Sequence, residues 1–176
     1  MPRRKYPILN VGAEYLVMGY LMRRNIQTCK AFDGNAGYDL LCVNPGNVNS
    51  RKHKVARIQV KSRVQSDSDG GFMLKTDASG NIDFSGFDYL VVVFLNVAFW
   101  GDGKYRGFNV AGHHEEVEMY SFPVSFLKRH RELFSGRKLR LTQKNFGTIS
   151  SRFKNDKGIE AIAGFLDVAI LPDAKR

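Results

Sequence analysis

The chain has 176 residues, 43% of them hydrophobic, which is enough to bury one hydrophobic core without disulfides and too few for a second full domain. Twenty-seven Lys and Arg against seventeen Asp and Glu leave a net charge of +10, which points to a polyanionic partner, nucleic acid first. A membrane is the rival that the sequence argues against, since no basic amphipathic helix appears and the longest apolar run, Tyr89 to Phe99, is broken at Asn96 and too short to cross a bilayer.

The charged start (Arg3, Arg4, Lys5) leads into no signal-like apolar stretch, so export is not expected. The two cysteines, Cys29 and Cys42, fall in strand-like segments, where a thiol serves as a small buried group. These features together predict a reduced, intracellular protein, cytoplasmic or nucleoid-associated.

In chain order, Val11, Tyr15, Met18 and Met22 recur at helical spacing and predict a helix from Val11 to Arg24, with Asn25 as its stop. Glu14 falls about 60° from the centre of that apolar stripe, on its margin. Ile26 to Phe32 and Tyr38 to Val43 read as strands around the turn-forming run at 33–37. Val55 to Ser62 alternates: Ala56, Ile58 and Val60 share one face, while Arg57, Gln59 and Lys61 share the other. Further strands are expected at Phe72 to Lys75, Tyr89 to Phe99 (buried on both faces), Tyr105 to Val110 and Glu118 to Phe122. Pro123 opens a helix expected to reach Phe134, and Lys157 to Leu166 forms the last. The expected domain is single, with a core at about 11–134 and a basic C-terminal extension at about 135–176.

The informative grouping is a helix with a marginal Glu14, a strand led by Gly37, Tyr38 and Asp39, and a strand carrying Gln59-Val60-Lys61. Each member has a bland reading. A Gln-x-Lys tripeptide describes any solvated strand edge, Glu14 could be a helix-surface charge paired with Lys or Arg, and Asp39 could be a turn-end cap. His113, His114, Glu115 and Glu116 suggest a loop rather than zinc, because adjacent residues on an extended segment face opposite ways.

The order and spacing resemble the PD-(D/E)XK nuclease superfamily, over roughly the first half of the chain and more weakly at Asp88 to Asn96 and Tyr120 to Leu133. In that family a helix supplies a Glu, one strand an Asp, and the next strand an acidic residue and a Lys one position apart, around a divalent metal. The matching positions are Glu14, Asp39, Gln59 and Lys61. Gln59 departs from the usual Asp or Glu, which removes one negative charge and weakens metal affinity unless Glu14 contributes. Gln is a known variant there, and the chain is similar in outline to compact group I intron homing endonucleases, with Holliday-junction resolvases and Mrr-like restriction domains as other branches.

The resemblance implies an α/β, restriction-endonuclease-like fold: a mixed central β-sheet flanked by α-helices. It implies a metal-dependent endonuclease acting on DNA with Mg²⁺, for which Mn²⁺ can substitute, held by Asp39, Gln59, the Val60 carbonyl and Glu14, with Lys61 at the attacking water. Arg51, Lys52, Lys54, Arg57 and Arg63 adjoin this face and are expected to touch phosphates. Arg137, Lys138, Arg140, Lys144, Arg152 and Lys154 form a second basic group, for which contact and plain solvation weigh equally. One site per chain implies a homodimer or higher homo-oligomer for double-strand cleavage. The alternatives are a non-catalytic nucleic-acid-binding module of the same fold and an RNA-binding protein of the translation machinery.

Overall fold

The computed structural model describes residues 7–32, 37–44, 54–63, 71–95, 117–141 and 150–169. The elements are α1 (Pro7–Arg23), β1 (Gln27–Lys30), β2 (Leu40–Val43), β3 (Val55–Arg63), β4 (Phe72–Met73), β5 (Tyr89–Phe94), β6 (Glu118–Pro123), α2 (Val124–Arg129), a 3-10 turn (Arg131–Leu133), β7 (Phe134–Ser135), β8 (Lys138–Leu139), α3 (Ser150–Phe153) and α4 (Asn155–Leu166). Five strands form a mixed sheet in the order β1-β2-β3-β5-β6. Within it β3 and β5 run parallel, and the remaining neighbours are antiparallel. A second, three-stranded sheet has the order β4-β8-β7. This is the α/β fold expected, a mixed sheet flanked by helices.

Each face of the main sheet is apolar and covered, as the uninterrupted burial of β5 requires. On one face Ala56, Ile58, Val60, Val91 and Val93 pack against Ala13, Val17 and Leu21 of α1 and Ile159, Ile162 and Leu166 of α4. On the other, Leu90, Val92 and Phe94 meet an aromatic layer that includes Phe72, Phe84, Phe87, Phe122, Phe126 and Phe153. Described residues after 134, where an extension from the core was expected, therefore belong to the core: Leu139 sits in the second cluster, and Ile162 and Leu166 lie fully buried in the first.

The helix α1 forms where its spacing predicts, but it buries the opposite face. Val11, Tyr15 and Met22 are 41%, 53% and 54% exposed, whereas Ala13, Val17 and Leu21 are fully buried. Leu, Val and Ala occupy one side and Val, Tyr and Met the other, so periodicity alone does not choose between them; packing against β3 takes the branched and small side chains. The helix ends at Asn25, whose φ is 62°, with the amides of Asn25 and Ile26 donating to the carbonyls of Met22 and Leu21. That Schellman closure buries Ile26 and Leu21 together. The same closure ends α4 at Asp167, φ 56°, with Val168 donating to Ala163.

Two further expectations are corrected, and others fall outside the described residues. Cys29 is exposed while Cys42 is buried, because the two lie one register step apart on β1 and β2 and face opposite sides of the sheet. Burial pushes the Cys42 thiol up to about 11, against a lowering hydrogen bond with Thr28. The helix after Pro123 stops at Arg129, since His130 leaves helical geometry (φ −110°, ψ 64°) and Phe134 and Ser135 pair with β8 instead. The expected strand at Tyr105 to Val110, the far end of Tyr89 to Phe99, and the His113–Glu116 segment lie outside the described residues.

Candidate active site

The strand β3 carries the site because alternation gives it one apolar and one polar face. Opposite the buried Ala56, Ile58 and Val60, the row Arg57, Gln59, Lys61 and Arg63 lies beside β5, where Gln59 pairs with Leu90, Lys61 with Val92 and Arg63 with Phe94. A polar row placed against an aromatic layer must satisfy its polar groups locally or present them at the layer's rim. Gln59 is 6% exposed; Lys61 and Arg63 are half-buried. Among the described residues Lys61 makes no ion pair.

Asp39 is fixed at the entrance of β2 by three hydrogen bonds. Its amide donates to the Ile58 carbonyl at 2.9 Å, and its own carbonyl accepts from Ala31 at 2.9 Å. Its carboxylate Oδ2 accepts the Val60 amide at 2.7 Å. The carboxylate is therefore seated against the β3 backbone between Gln59 and Lys61, with its other oxygen able to accept further partners. The turn that delivers it depends on a glycine crossing: a Cβ on Gly37 would stand 2.7 Å from the Gly86 Cα, and one on Gly86 would stand 2.6 Å from the Gly37 Cα. Any side chain at either position collides with backbone, so the crossing requires both glycines.

Two residues beyond Gly86, Asp88 clamps the start of the row. Its carboxylate accepts the Arg57 amide at 2.8 Å, Nε at 3.1 Å and Nη2 at 3.0 Å, while Arg57 Nη1 donates to the Ser85 carbonyl at 3.2 Å. Burial pushes the Asp88 carboxyl up, but the Arg57 side-chain and backbone hydrogen bonds outweigh it and hold the group below the usual carboxylate value. The same bonds raise Arg57. Both edges of this guanidinium are thus engaged within the protein.

The remaining members stand elsewhere. Glu14 lies on the border between the two faces of α1, its side chain 18% exposed, in an ion pair with Lys30 at 2.9 Å. Lys30 also stands 5.0 Å over the Tyr15 ring, and its register partner is Leu40, next to Asp39. Lys54 pairs with Asp167 at 2.7 Å, both largely exposed. Arg63 Nη1 donates to the Gly71 carbonyl at 2.8 Å. Arg51 and Lys52 lie outside the described residues.

The structure therefore hydrogen-bonds Asp39, one residue ahead of β2, to β3 at Val60, which Gln59 and Lys61 flank in sequence, and gives Glu14 a cationic partner. Among the described residues no three His, Cys, Asp or Glu side chains gather. A cation here would have to use one carboxylate plus neutral amide and carbonyl oxygens, a hard-oxygen set that suits Mg²⁺ or Mn²⁺ better than zinc. Sequence reasoning missed the Asp88 clamp and the glycine crossing. Asp88 announced itself only as the residue ahead of an apolar strand, and nothing local joins it to Arg57 or Gly86 to Gly37.

No protein-family model and no curated protein sequence matches the chain. No described helix is long and apolar enough to cross a membrane. Among solved structures the chain is similar to a bacterial homing endonuclease, I-Ssp6803I, with a TM-score of 0.50 and 16% identity over 93% of this chain and 96% of that one. At that identity the likeness extends to the fold alone, which in this chain is a five-stranded mixed sheet flanked by helices.

Proposed function

We propose that the chain is a metal-dependent endonuclease of the PD-(D/E)XK type that hydrolyses DNA phosphodiester bonds. The observation that carries this reading is the seating of the Asp39 carboxylate 2.7 Å from the Val60 amide, between Gln59 and Lys61. Asp39, the Gln59 amide oxygen and the Val60 carbonyl would hold Mg²⁺ or Mn²⁺, with Glu14 in support through water. When bound, the cation would stabilise charge on the phosphate oxygens and make a bound water more acidic. Asp39 supplies the fixed negative charge of the site, its position set by the backbone rather than by a mobile side chain. Lys61, beside it and without a carboxylate partner among the described residues, orients the attacking water and offsets charge on the phosphate.

The net charge of +10 and the fold shared with an endonuclease support DNA as the partner, with Arg51, Lys52, Lys54 and Arg63 at its phosphates. Arg57 would join them only with the two guanidinium N–H groups that Asp88 and Ser85 leave over. Cutting both strands from one site per chain calls for a homodimer or higher homo-oligomer, acting inside the cell in the cytoplasm or at the nucleoid. Supercoiled plasmid and linear duplex incubated with Mg²⁺ or Mn²⁺ provide the test. Native protein nicks or linearises DNA, and Asp39→Ala and Lys61→Ala each lose the activity by two or more orders of magnitude. Native protein that binds DNA but leaves plasmid, duplex and branched DNA intact sinks the catalytic claim.

One observation favours a second reading, a non-catalytic DNA-binding module of this fold. Gln59 is neutral and Glu14 is paired with Lys30, so among the described residues Asp39 is the one acidic side chain hydrogen-bonded to β3 at Val60. Under that reading duplex binding depends on salt and is indifferent to Mg²⁺ and to Asp39→Ala.

A further inference from the structure

We infer that Arg63 and Arg140 form a phosphate-binding subsite beside Lys61, taking a backbone phosphate of the nucleic acid that neighbours the one at Asp39. The inference rests on the nucleic-acid reading of this face, and extends it to a residue from the distant second basic group. Arg63 closes the polar row of β3, and Arg140 follows β8 directly. They meet at Gly71. Arg63 Nη1 donates to the Gly71 carbonyl at 2.8 Å. A Cβ at Gly71 would stand 3.2 Å from Arg140 Cγ and 2.6 Å from the Leu139 carbonyl. The pairing of Phe72 with Leu139 continues toward Gly71 and Arg140, and both Phe72 and Leu139 are anchored in the aromatic layer. Gly71 holds φ +60°, a conformation glycine adopts without strain, and its missing side chain leaves room for the Arg140 stem beside it while its carbonyl takes Arg63.

Arg140 carries the second observation. Its Nε is buried and, among the described residues, has no hydrogen-bond partner. A guanidinium presents five donors in a rigid fork that matches phosphate and carboxylate oxygens two at a time, and a buried charged donor left without an acceptor is costly. Arg140 is thus a half-buried guanidinium whose inner nitrogen has no acceptor among the described residues, and an anion approaching its outer nitrogens would offset that cost. The acceptor's class follows from position: Lys61 and Arg63 leave the same face of β3 roughly 7 Å apart, a spacing suited to consecutive phosphates of one strand. Lys61 would then face the phosphate at Asp39, and the two arginines the next one.

Fluorescence anisotropy of a labelled duplex, with the full chain in EDTA over roughly 50 to 200 mM salt, tests this. Arg140→Gln and Arg63→Gln are each expected to weaken binding several-fold at low salt and to reduce the slope of log K against log salt by about 1. The double variant loses less than the sum, because both arginines serve one phosphate. Arg140→Lys keeps the slope but not the full affinity, since it retains charge and lacks the fork. A purely packing role would lower the melting temperature of Arg140→Gln and leave the slope alone. An unchanged slope in Arg140→Gln overturns the subsite, whatever the plasmid assay gives. A reduced slope in a protein that cuts nothing keeps the subsite and removes the nuclease reading; a native protein that binds no duplex removes both.

Discussion

The two ends of the polar row on β3 solve the same electrostatic problem differently. At the start, Arg57 meets a carboxylate in three hydrogen bonds and a carbonyl in a fourth, next to a glycine crossing that fixes the neighbouring loop. Toward the far end, among the described residues, Lys61 has no ion pair and Arg140 keeps a buried Nε without an acceptor. Positive charge at Arg57 is therefore structural, neutralised by Asp88, whereas the proposed ligand contacts fall at Lys61 and, off the strand, at Arg140. A basic residue near a site is evidence for ligand contact only after its internal partners are known.

Breaking the closed end has the largest expected effect on stability. Gly86→Ala inserts a Cβ that would stand 2.6 Å from the Gly37 backbone, and the loss in urea unfolding is expected to be about 2 kcal/mol, with Asp39 displaced along with its turn. A variant as stable as native protein would mean that the crossing yields without cost.

Asp88→Asn tests the clamp itself, at about 1 kcal/mol after allowance for the side-chain exposures of 39% at Arg57 and 30% at Asp88. The sign of its pH dependence follows from the lowered Asp88 carboxyl. A carboxyl held lower in the folded chain than in the unfolded one contributes stability that is full above the ordinary value near 3.9 and is lost as pH falls through the folded value. The gap between native protein and Asp88→Asn, followed by urea unfolding, should be constant near neutrality and shrink in that acid window. A gap that does not change with acid would place the clamp's strength elsewhere.

The smallest stability effect is expected at the open end. Lys61→Met keeps the aliphatic stem and removes the charge, so the unfolding free energy should stay within about 0.5 kcal/mol, while any cleavage that the native chain shows under the proposed function should be lost. A large destabilisation would show that Lys61 is structural after all, and would erase the contrast between the ends.

The elements that read most clearly in the sequence depend on local pattern. Alternation identified β3 and sorted Ala56, Ile58 and Val60 from Gln59 and Lys61. The valine-rich run identified β5 as a strand covered on both faces. Turn residues and Asn25 marked the boundaries around α1 and β2. The order of Glu14, Asp39, Gln59 and Lys61 along these elements gave the resemblance, and the pairing of β2 with β3 lets Asp39, one residue ahead of β2, accept the Val60 amide.

Tertiary structure alone decided which side of α1 is buried, since apolar residues occupy both sides and only the fit against β3 selects Ala13, Val17 and Leu21. It also decided that Arg57 belongs to Asp88, Glu14 to Lys30, and Arg140 to the neighbourhood of Arg63. The reason is physical. Periodicity records how a segment faces its own axis, whereas a charge or a glycine finds its partner through strand register and loop closure between segments far apart in the chain.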